Sequence, residues 1–227
     1  MAAFEGPEFA LLHPFLPADH ARTAKLGDLL RAVAHGGRVL DLGCGDGRAV
    51  ELIESTGAAY VGVDIQQSPE VASRSRIDAQ FETFNGVDLP FPDEYFDVVY
   101  SNQVFEHVRH PDRLVCEVLR VLKPGGAFVG ALSCLEPYHS YSIFNFTPYG
   151  VFRLLHDNGF TIGQLRPGPE GLAMIVRQLT VRRIGGFGLV YPAVDLARRL
   201  GRIDVAKANY LKLRFAGHIL FTAHRPA

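Results

Sequence analysis

Glycines alternate with other residues directly after a short apolar run that contains an acid. The stretch is Val39–Val50, VLDLGCGDGRAV, in which Asp41 is followed by Gly43, Gly45 and Gly47. Glycine adopts positive φ without steric cost and lets a backbone approach a ligand closely. The pattern therefore predicts a strand, a tight ligand-binding turn and a helix behind it.

A second acid lies at the end of the next apolar run. That run is Tyr60–Ile65, YVGVDI, and its Asp64 follows Gly47 by 17 residues. In doubly wound folds, an acid at the tip of the second strand binds the hydroxyl pair of a ribose. The two features together predict a nucleoside-containing ligand at the carboxyl ends of two strands.

Taken in order, these motifs resemble those of class I S-adenosylmethionine-dependent methyltransferases of the broad type-11 group. The resemblance covers Val39 to about Ser133 and includes LPFPDEYFDVVYSN and VLKPGG; a weaker similarity, FTPYGVFRLLHDNGF, follows at Phe146–Phe160. It implies S-adenosyl-L-methionine as the cofactor and methyl transfer by in-line displacement. Such an enzyme chiefly positions donor and acceptor and excludes water.

The resemblance also implies a set of cofactor-binding residues. Asp41 and Gly43 would lie at the amino-acid end of the cofactor, and Asp64 would bind the ribose hydroxyls. The loop would pass close to the ligand through Gly45 and Gly47, with the small side chain of Cys44 between the glycines. Ser101 would offer its carbonyl to the methionine ammonium. The remaining members are Ile65 and Gln66 beside the adenine, and Asn102 and Gln103 beside Ser101.

The adenine edge departs from the pattern of the family. Asn85 stands where an acid is usual, four residues before LPF. Its side-chain oxygen would accept from the adenine amino group, and the amide of Gly86 or Val87 would donate to a ring nitrogen. Asp88 is the alternative reader of this edge.

Two histidines are candidate bases for an oxygen acceptor, which needs a group to take its proton. His107 lies just past the fourth predicted strand, and His139 lies in the loop CLEPYHSYS after the fifth. An imidazole side chain can take up a proton near neutral pH, which suits this role. Each also has a structural interpretation, His107 as a brace of its loop and His139 as part of a solvated loop. No spacing among the histidines and cysteines indicates a metal site.

Other interpretations of the glycine loop stay open. The glycines could serve only the turn, and the two acids could be a helix cap and a strand-end charge. A nicotinamide oxidoreductase is a further class, but its fingerprint G-x-G-x-x-G places the third glycine one residue later. A non-catalytic protein that binds S-adenosylmethionine would carry the same motifs.

Strands alternate with helices along the chain, which predicts a doubly wound, mostly parallel α/β sheet. We expect a seven-stranded Rossmann-like sheet whose last strand is antiparallel and, as the resemblance implies, pairs between the fifth and sixth. A helix is predicted over Ala18–Ala34. The predicted strands are Arg38–Leu42, Tyr60–Ile65, Ala79–Phe84, Phe96–Tyr100, Ala127–Leu132, Phe160–Leu165 and His218–Ala223.

The length of 227 residues suits one domain with a full core. We expect a helical segment at 1–37, a cofactor-binding half at 38–133 and a substrate half at 134–227 with a helical insertion at about 170–214. Three cysteines form no disulfide framework, which favours a reducing cytoplasm. The N-terminus lacks the pattern of a signal peptide, and no apolar run approaches the length of a bilayer span.

Charge is distributed unevenly along the chain. Residues 1–165 hold 12 Lys and Arg against 21 Asp and Glu, a balance of −9, whereas residues 166–227 hold 11 against 3, a balance of +8. The basic part suggests an amphipathic lid, a site for an anionic acceptor, or contact with an anionic membrane surface. The acidic remainder argues against nucleic acid. We therefore expect a small-molecule, lipid-linked or sugar-linked acceptor.

Overall fold

The computed structural model describes residues 6–19, 25–137, 141–180 and 188–227. Its strands are β1 Arg38–Leu42, β2 Ala59–Ile65, β3 Gln80–Phe84, β4 Phe96–Asn102, β5 Leu122–Ser133, β6 Thr161–Pro167 and β7 His218–His224. Its helices are α1 Pro7–Leu12, α2 Leu26–Val33, α3 Val50–Glu54, α4 Pro69–Ala72, α5 Pro111–Val121, α6 Pro148–His156, α7 Gly171–Leu179, α8 Val190–Arg199 and α9 Val205–Arg214. Short 3₁₀ turns occupy His13–Phe15 and Phe105–His107.

The strands form one seven-stranded sheet in the order β3-β2-β1-β4-β5-β7-β6. β7 runs antiparallel to both β5 and β6, and the other pairings are parallel. The predicted doubly wound sheet with an antiparallel last strand is confirmed. Because β7 lies between β5 and β6, the start of β7 comes beside the end of β5, where Ser133 is in register with His218.

Two apolar clusters cover the two faces of the sheet. On one face α5 and α6 pack their buried residues against β4, β5 and β7, with Phe128 and Phe221 in edge-to-face contact. On the other face α2 and α3 bury Leu30 and Ile53 against β1 and β4. Burial on both faces explains why the central strands are near-continuous apolar runs in the sequence. None of the helices in the described part of the chain combines the length and apolar character needed to span a bilayer.

Two predicted boundaries are wrong. The helix predicted from Ala18 begins only at Leu26, and Ala18 and Asp19 are irregular; residues 20–24 lie outside the described part of the chain. The side-chain amide of Asn209 in α9 donates to the carbonyls of Pro17 and Asp19, so tertiary contacts fix this segment in a non-helical form. β5 begins at Leu122 rather than Ala127, because the buried Leu122 already pairs with Phe96.

Candidate functional site

The glycine loop and the second acid, which the sequence predicts to meet, are in contact. The backbone N–H of Gly45 donates to Asp64 Oδ2 at 2.7 Å, and the N–H of Ile65 donates to Asp64 Oδ1 at 2.7 Å. Burial raises the pKa of the Asp64 carboxyl, and the two N–H donors partly offset that effect. The half-buried carboxylate therefore lies where the loop and the carboxyl end of β2 converge.

Asp41 is the most deeply buried acid of the loop region. Its side chain is 3% exposed, and its Oδ2 accepts a hydrogen bond of 2.8 Å from the hydroxyl of Tyr60. Desolvation raises the pKa of Asp41 to about 7, against the opposing effect of the Tyr60 hydrogen bond. The same burial, together with the charge of Asp41, raises the pKa of the Cys44 thiol to about 12. Cys44 is thus a small buried side chain and not a nucleophile.

Two glycines of the loop are required by their surroundings. Gly43 has φ +73°, and a Cβ built there would lie 2.3 Å from Val104 Cγ2. Gly47 has φ +87°, and its Cβ would lie 2.8 Å from Arg76 Cδ. A side chain at either position would be strained by the backbone and crowded by its neighbour, so the loop needs glycine there.

Two arginines that the sequence analysis did not single out brace the glycine loop from the segment after α4. Arg74 donates through Nε at 2.8 Å, and also through Nη2, to the carbonyl of Gly45, and its guanidinium stacks 3.9 Å from the centre of the Phe81 ring. Arg76 Nη1 donates to the carbonyl of Gly47 at 3.0 Å. Each contact spans 29 residues, so no local pattern in the sequence reveals it.

At the predicted adenine end, the side chain of Asn85 is engaged in its own loop. Asn85 Oδ1 accepts from the N–H groups of Val87 and Asp88, and its amide nitrogen donates to Asp88 Oδ2 at 2.7 Å. For Asn85 or the Val87 amide to bind the adenine, as predicted, these hydrogen bonds would have to be replaced by hydrogen bonds to the adenine. Gly86 has φ +88° and sits near Ile65, which is 38% exposed; Gln66 is also exposed.

The residues predicted at the methionine end are the last two of β4 and the residue directly after it. Ser101 is 1% exposed, and its hydroxyl has no hydrogen-bond partner among the residues that the structure describes. Asn102 is exposed, and Gln103 has an unusual φ of +60° with its N–H donating to the carbonyl of Ala131. A left-handed non-glycine residue costs about 1–3 kcal/mol and is characteristic of functional sites.

Of the two candidate bases, only His107 lies in the described part of the chain. It is the last residue of the 3₁₀ turn after β4 and is partly buried. His139 lies outside the described residues, in the gap between 137 and 141. Across residues 6–19, 25–137, 141–180 and 188–227, no group of three or more His, Cys, Asp or Glu is placed to hold a metal ion.

The residues present fit S-adenosylmethionine. Asp41 and Asp64 lie near the carboxyl ends of two neighbouring parallel strands. The Asp41 carboxylate suits a cationic amino-acid group, and the Asp64 carboxylate suits a pair of ribose hydroxyls. The glycines keep the loop free of Cβ atoms, and the buried Ser101 hydroxyl supplies a polar group that lacks a partner in the described part of the protein. The arrangement has the form expected at the carboxyl edge of a doubly wound sheet.

The raised pKa of Asp41 predicts a pH dependence of cofactor binding. Below about pH 7 the carboxyl is neutral, and a cationic ligand favours the ionised form, so affinity for S-adenosylmethionine should fall as pH falls through 7. The affinity for S-adenosylmethionine can fall by at most about tenfold for each pH unit. Calorimetry from pH 5.5 to 8.5 measures this, and the slope should disappear in Asp41→Asn. A wild-type affinity independent of pH over this range would contradict the assignment.

The stability of the ligand-free protein should show the opposite trend. Because folding raises the pKa of Asp41 from 3.8 to about 7, its neutral form stabilises the fold at low pH, and that contribution is lost as pH rises through 7. Thermal melts should therefore show Asp41→Asn gaining stability relative to wild type between pH 5 and 8. If the difference in stability between Asp41→Asn and wild type stayed constant across that pH range, the raised pKa of Asp41 would be contradicted.

Comparison with known proteins identifies the family. Residues 40–130 match the family model described as "Methyltransferase domain". The methyltransferase GfsG of Streptomyces halstedii is 30% identical over an alignment of 239 residues, gaps included, which covers 97% of this chain and 85% of that protein. Demethylmenaquinone methyltransferase of Tropheryma whipplei is 36% identical over 123 residues, which cover 52% of this chain. The chain spans about half of the length of that second relative, since the match covers 50% of it.

A solved structure shares the fold. The [4+2]-cyclase SpnF superposes with a TM-score of 0.61 over 94% of this chain and 86% of its own, at 21% identity. That identity establishes the architecture and not the chemistry. With the long match to GfsG, the family model and the sheet order, the chain belongs to the class I S-adenosylmethionine-dependent methyltransferases.

Proposed function

We propose that this protein transfers the methyl group of S-adenosylmethionine to an oxygen atom of a small-molecule, lipid-linked or sugar-linked acceptor. The observation that carries the proposal is the convergence of Asp64, the glycine loop and the chain after β4 at one edge of the sheet. Next to that edge a cavity of about 460 Å³ opens beside the chain after β5. Its volume falls in the range of about 300–1,000 Å³ typical of small-molecule sites.

In the proposed site the protein residues mainly bind and orient. The cofactor supplies a methyl group on a cationic sulfur, an electrophile that needs little further activation. Asp64 would hold the ribose hydroxyls, and Asp41 would face the cationic amino-acid end. Arg74 would keep the Gly45 carbonyl turned away from the ligand, since it donates to that oxygen. Positioning of this kind supplies much of the acceleration of two-reactant reactions.

Acceptor recognition falls to the substrate half in this proposal. The insertion between β6 and β7 contains α7, α8 and α9, and the apolar side of α7 lines the cavity. The basic face expected there is smaller than its sequence indicates. Lys212 is fully buried, and its Nζ lies 2.7 Å from Asp195 Oδ1, so it is not a surface charge. Contact of this insertion with a membrane surface remains a prediction.

The division of the chain is part of the same proposal. Residues 38–133 would bind the cofactor and residues 134–227 the acceptor within one domain. The three cysteines, Cys44, Cys116 and Cys134, are all unpaired thiols in the structure. A chain without a disulfide framework is typical of the cytoplasm, which is the location that this proposal assigns.

SpnF has the same fold but is named as a cyclase and not as a methyltransferase, so the fold alone leaves a second candidate function open. The chain would then bind S-adenosylmethionine without transferring its methyl group. A binding-only protein would retain Asp64 and the glycine loop and would show no turnover.

Methyl release separates the two functions. The purified protein is incubated with methyl-labelled S-adenosylmethionine and a panel of hydroxyl-bearing, amine-bearing and phosphorylated acceptors, with Asp64→Ala, which should bind the cofactor more weakly, as the control. We expect S-adenosylhomocysteine to form only when a hydroxyl-bearing acceptor is present, and label to appear as a methyl ether. Tight cofactor binding with no acceptor-dependent release would instead support the binding protein.

A further inference from the structure

The cavity beside the chain after β5 has apolar walls and one carboxylate. Leu135 and the α7 residues Ile175 and Leu179 supply exposed apolar side chains. The other lining residues are Cys134, Glu136, Pro137, Asn145 and Gln178. Such a cavity is suited to an apolar molecule that presents one hydrogen-bonding group, since apolar area gives affinity and a polar group fixes orientation.

Glu136 is held in place by three side chains. Its Oε2 lies 2.9 Å from His218 Nε2 and accepts from the hydroxyl of Ser133 at 2.7 Å. With the Gln103 amide oriented so that its nitrogen donates, that nitrogen lies 2.9 Å from Glu136 Oε2. The Glu136 side chain is only 14% exposed, so the carboxylate is fixed at the cavity wall and largely shielded from solvent.

Gln103 connects this carboxylate to the predicted cofactor edge. It is the first residue after β4 and belongs to the set expected beside the methionine end. Its left-handed backbone and its hydrogen bond to the carbonyl of Ala131 fix where its side chain begins. The same side chain reaches Ser133 and Glu106. Gln103 therefore lies between the cofactor edge and Glu136.

We propose that Glu136 is the general base of the reaction and that the acceptor is a neutral, largely apolar molecule that presents a hydroxyl group to it. The inference rests on the proposed function. As the acceptor oxygen bonds to the methyl carbon, the carbon–sulfur bond breaks and its electron pair stays on sulfur. The hydroxyl proton passes to the Glu136 carboxylate. His218, Ser133 and Gln103 are positioning residues for Glu136.

Charge and geometry favour this acceptor over an anionic one. A phosphate or carboxylate in the cavity would face the Glu136 carboxylate across apolar walls, where like charges repel strongly. A hydroxyl donates to the carboxylate and leaves its apolar body against Leu135 and α7. The basic residues of the insertion thus are not the feature that selects the acceptor.

Binding of simple probes tests the proposal without turnover. The probes are 1-decanol and decanoate, added to the full chain with methyl-labelled isoleucine and observed by NMR. Ile175 lines the cavity, whereas Ile77 is 96% exposed beside β3 at the opposite edge of the sheet and serves as the internal reference. We expect 1-decanol to bind, as followed by the Ile175 methyl signal, at least about tenfold more tightly than decanoate, and to leave Ile77 unchanged.

Variants then test whether the Glu136 carboxylate causes this preference. Glu136→Gln should reduce the preference for 1-decanol over decanoate to within about twofold, and Glu54→Gln, an exposed acid in α3, should leave it unchanged. Leu179→Lys, at a 77% exposed cavity position, should reverse the preference toward decanoate and serves if Glu136→Gln does not fold. Calorimetry with S-adenosylmethionine should give the same affinity for all of them.

Two results would overturn the proposal. They are failure of 1-decanol to shift Ile175 and equal binding of decanoate by the wild type. Either result would rule out a neutral hydroxyl acceptor. If calorimetry still shows normal binding of S-adenosylmethionine, the cofactor site of the proposed function is intact. With a hydroxyl acceptor from the panel, Glu136→Gln should lower kcat about 10²–10⁴-fold with partial rescue by Glu136→Asp. An unchanged kcat would remove Glu136 as the base.

Discussion

Replacing Gly43 by alanine is expected to weaken S-adenosylmethionine binding by on the order of 100-fold, close to loss of detectable binding. The residue has φ +73°, and the new Cβ would lie 2.3 Å from Val104 Cγ2, far inside contact distance. Val104 is packed against the core and cannot move away freely. The loop must therefore shift, and the N–H of Gly45 moves with it relative to Asp64.

Gly57→Ala is the matched control for this change. Gly57 has nearly the same backbone, φ +79°, but no atom lies within 4 Å of the position of its Cβ. It should lose about 1–3 kcal/mol of stability from backbone strain and keep its cofactor affinity. Trimming the obstructing side chain in Gly43→Ala/Val104→Ala should restore part of the affinity, as expected for directly coupled positions. Equal affinity of Gly43→Ala and Gly57→Ala would show that the loop geometry is not required.

Replacing Asp64 by alanine is the second large change, and it should weaken cofactor binding by about 1.5–3 kcal/mol, which is the scale of hydrogen bonds to a charged group. That free energy corresponds to roughly 10- to 150-fold in affinity. Two effects combine, because the carboxylate would bind the ribose hydroxyls and also accepts from the N–H groups of Gly45 and Ile65. Calorimetric titration of both proteins measures the difference.

Two further variants separate these effects. Asp64→Asn keeps one oxygen that can accept from Gly45, so it can preserve the loop contact while it loses the charge and the second oxygen, which accepts from Ile65. Glu82→Ala removes an exposed acid on the adjacent strand β3 and controls for general electrostatics. We expect affinity to decrease in the order wild type and Glu82→Ala, then Asp64→Asn, then Asp64→Ala. An Asp64→Ala protein that binds like the wild type would place the cofactor elsewhere.

The sheet could be predicted because each signal lies within a short stretch of sequence. β1 is a buried apolar run whose predicted and observed bounds agree, and the alternating glycines after it predict a tight turn; the contacts with Val104 and Arg76 that require glycine there are visible only in the structure. Asp64 could also be predicted, since parallel strands bring their carboxyl ends to one edge. The antiparallel β7 followed from the family resemblance and not from any local pattern.

Other features depend on contacts between distant residues and gave no local signal. His218 and Glu136 lie 82 residues apart, and they meet only because β7 is inserted beside β5. Arg74 and Arg76 belong to a polar stretch that resembles a solvated turn, yet they hold the carbonyls of the glycine loop. Lys212 has the composition of a surface residue but is buried against Asp195. The prediction of a helix from Ala18 is wrong because the side chain of Asn209 fixes that backbone in a non-helical conformation.

The central claim is that the edge formed by the glycine loop and Asp64 binds S-adenosylmethionine. Calorimetric titration of the purified protein with S-adenosylmethionine, S-adenosylhomocysteine and NAD tests it most directly, after denatured protein has been checked for co-purified ligand. We predict micromolar binding of the first two, weakening of that binding by on the order of 100-fold in Gly43→Ala, and no binding of NAD. Binding of NAD alone, or no binding of S-adenosylmethionine by ligand-free protein, would contradict the claim.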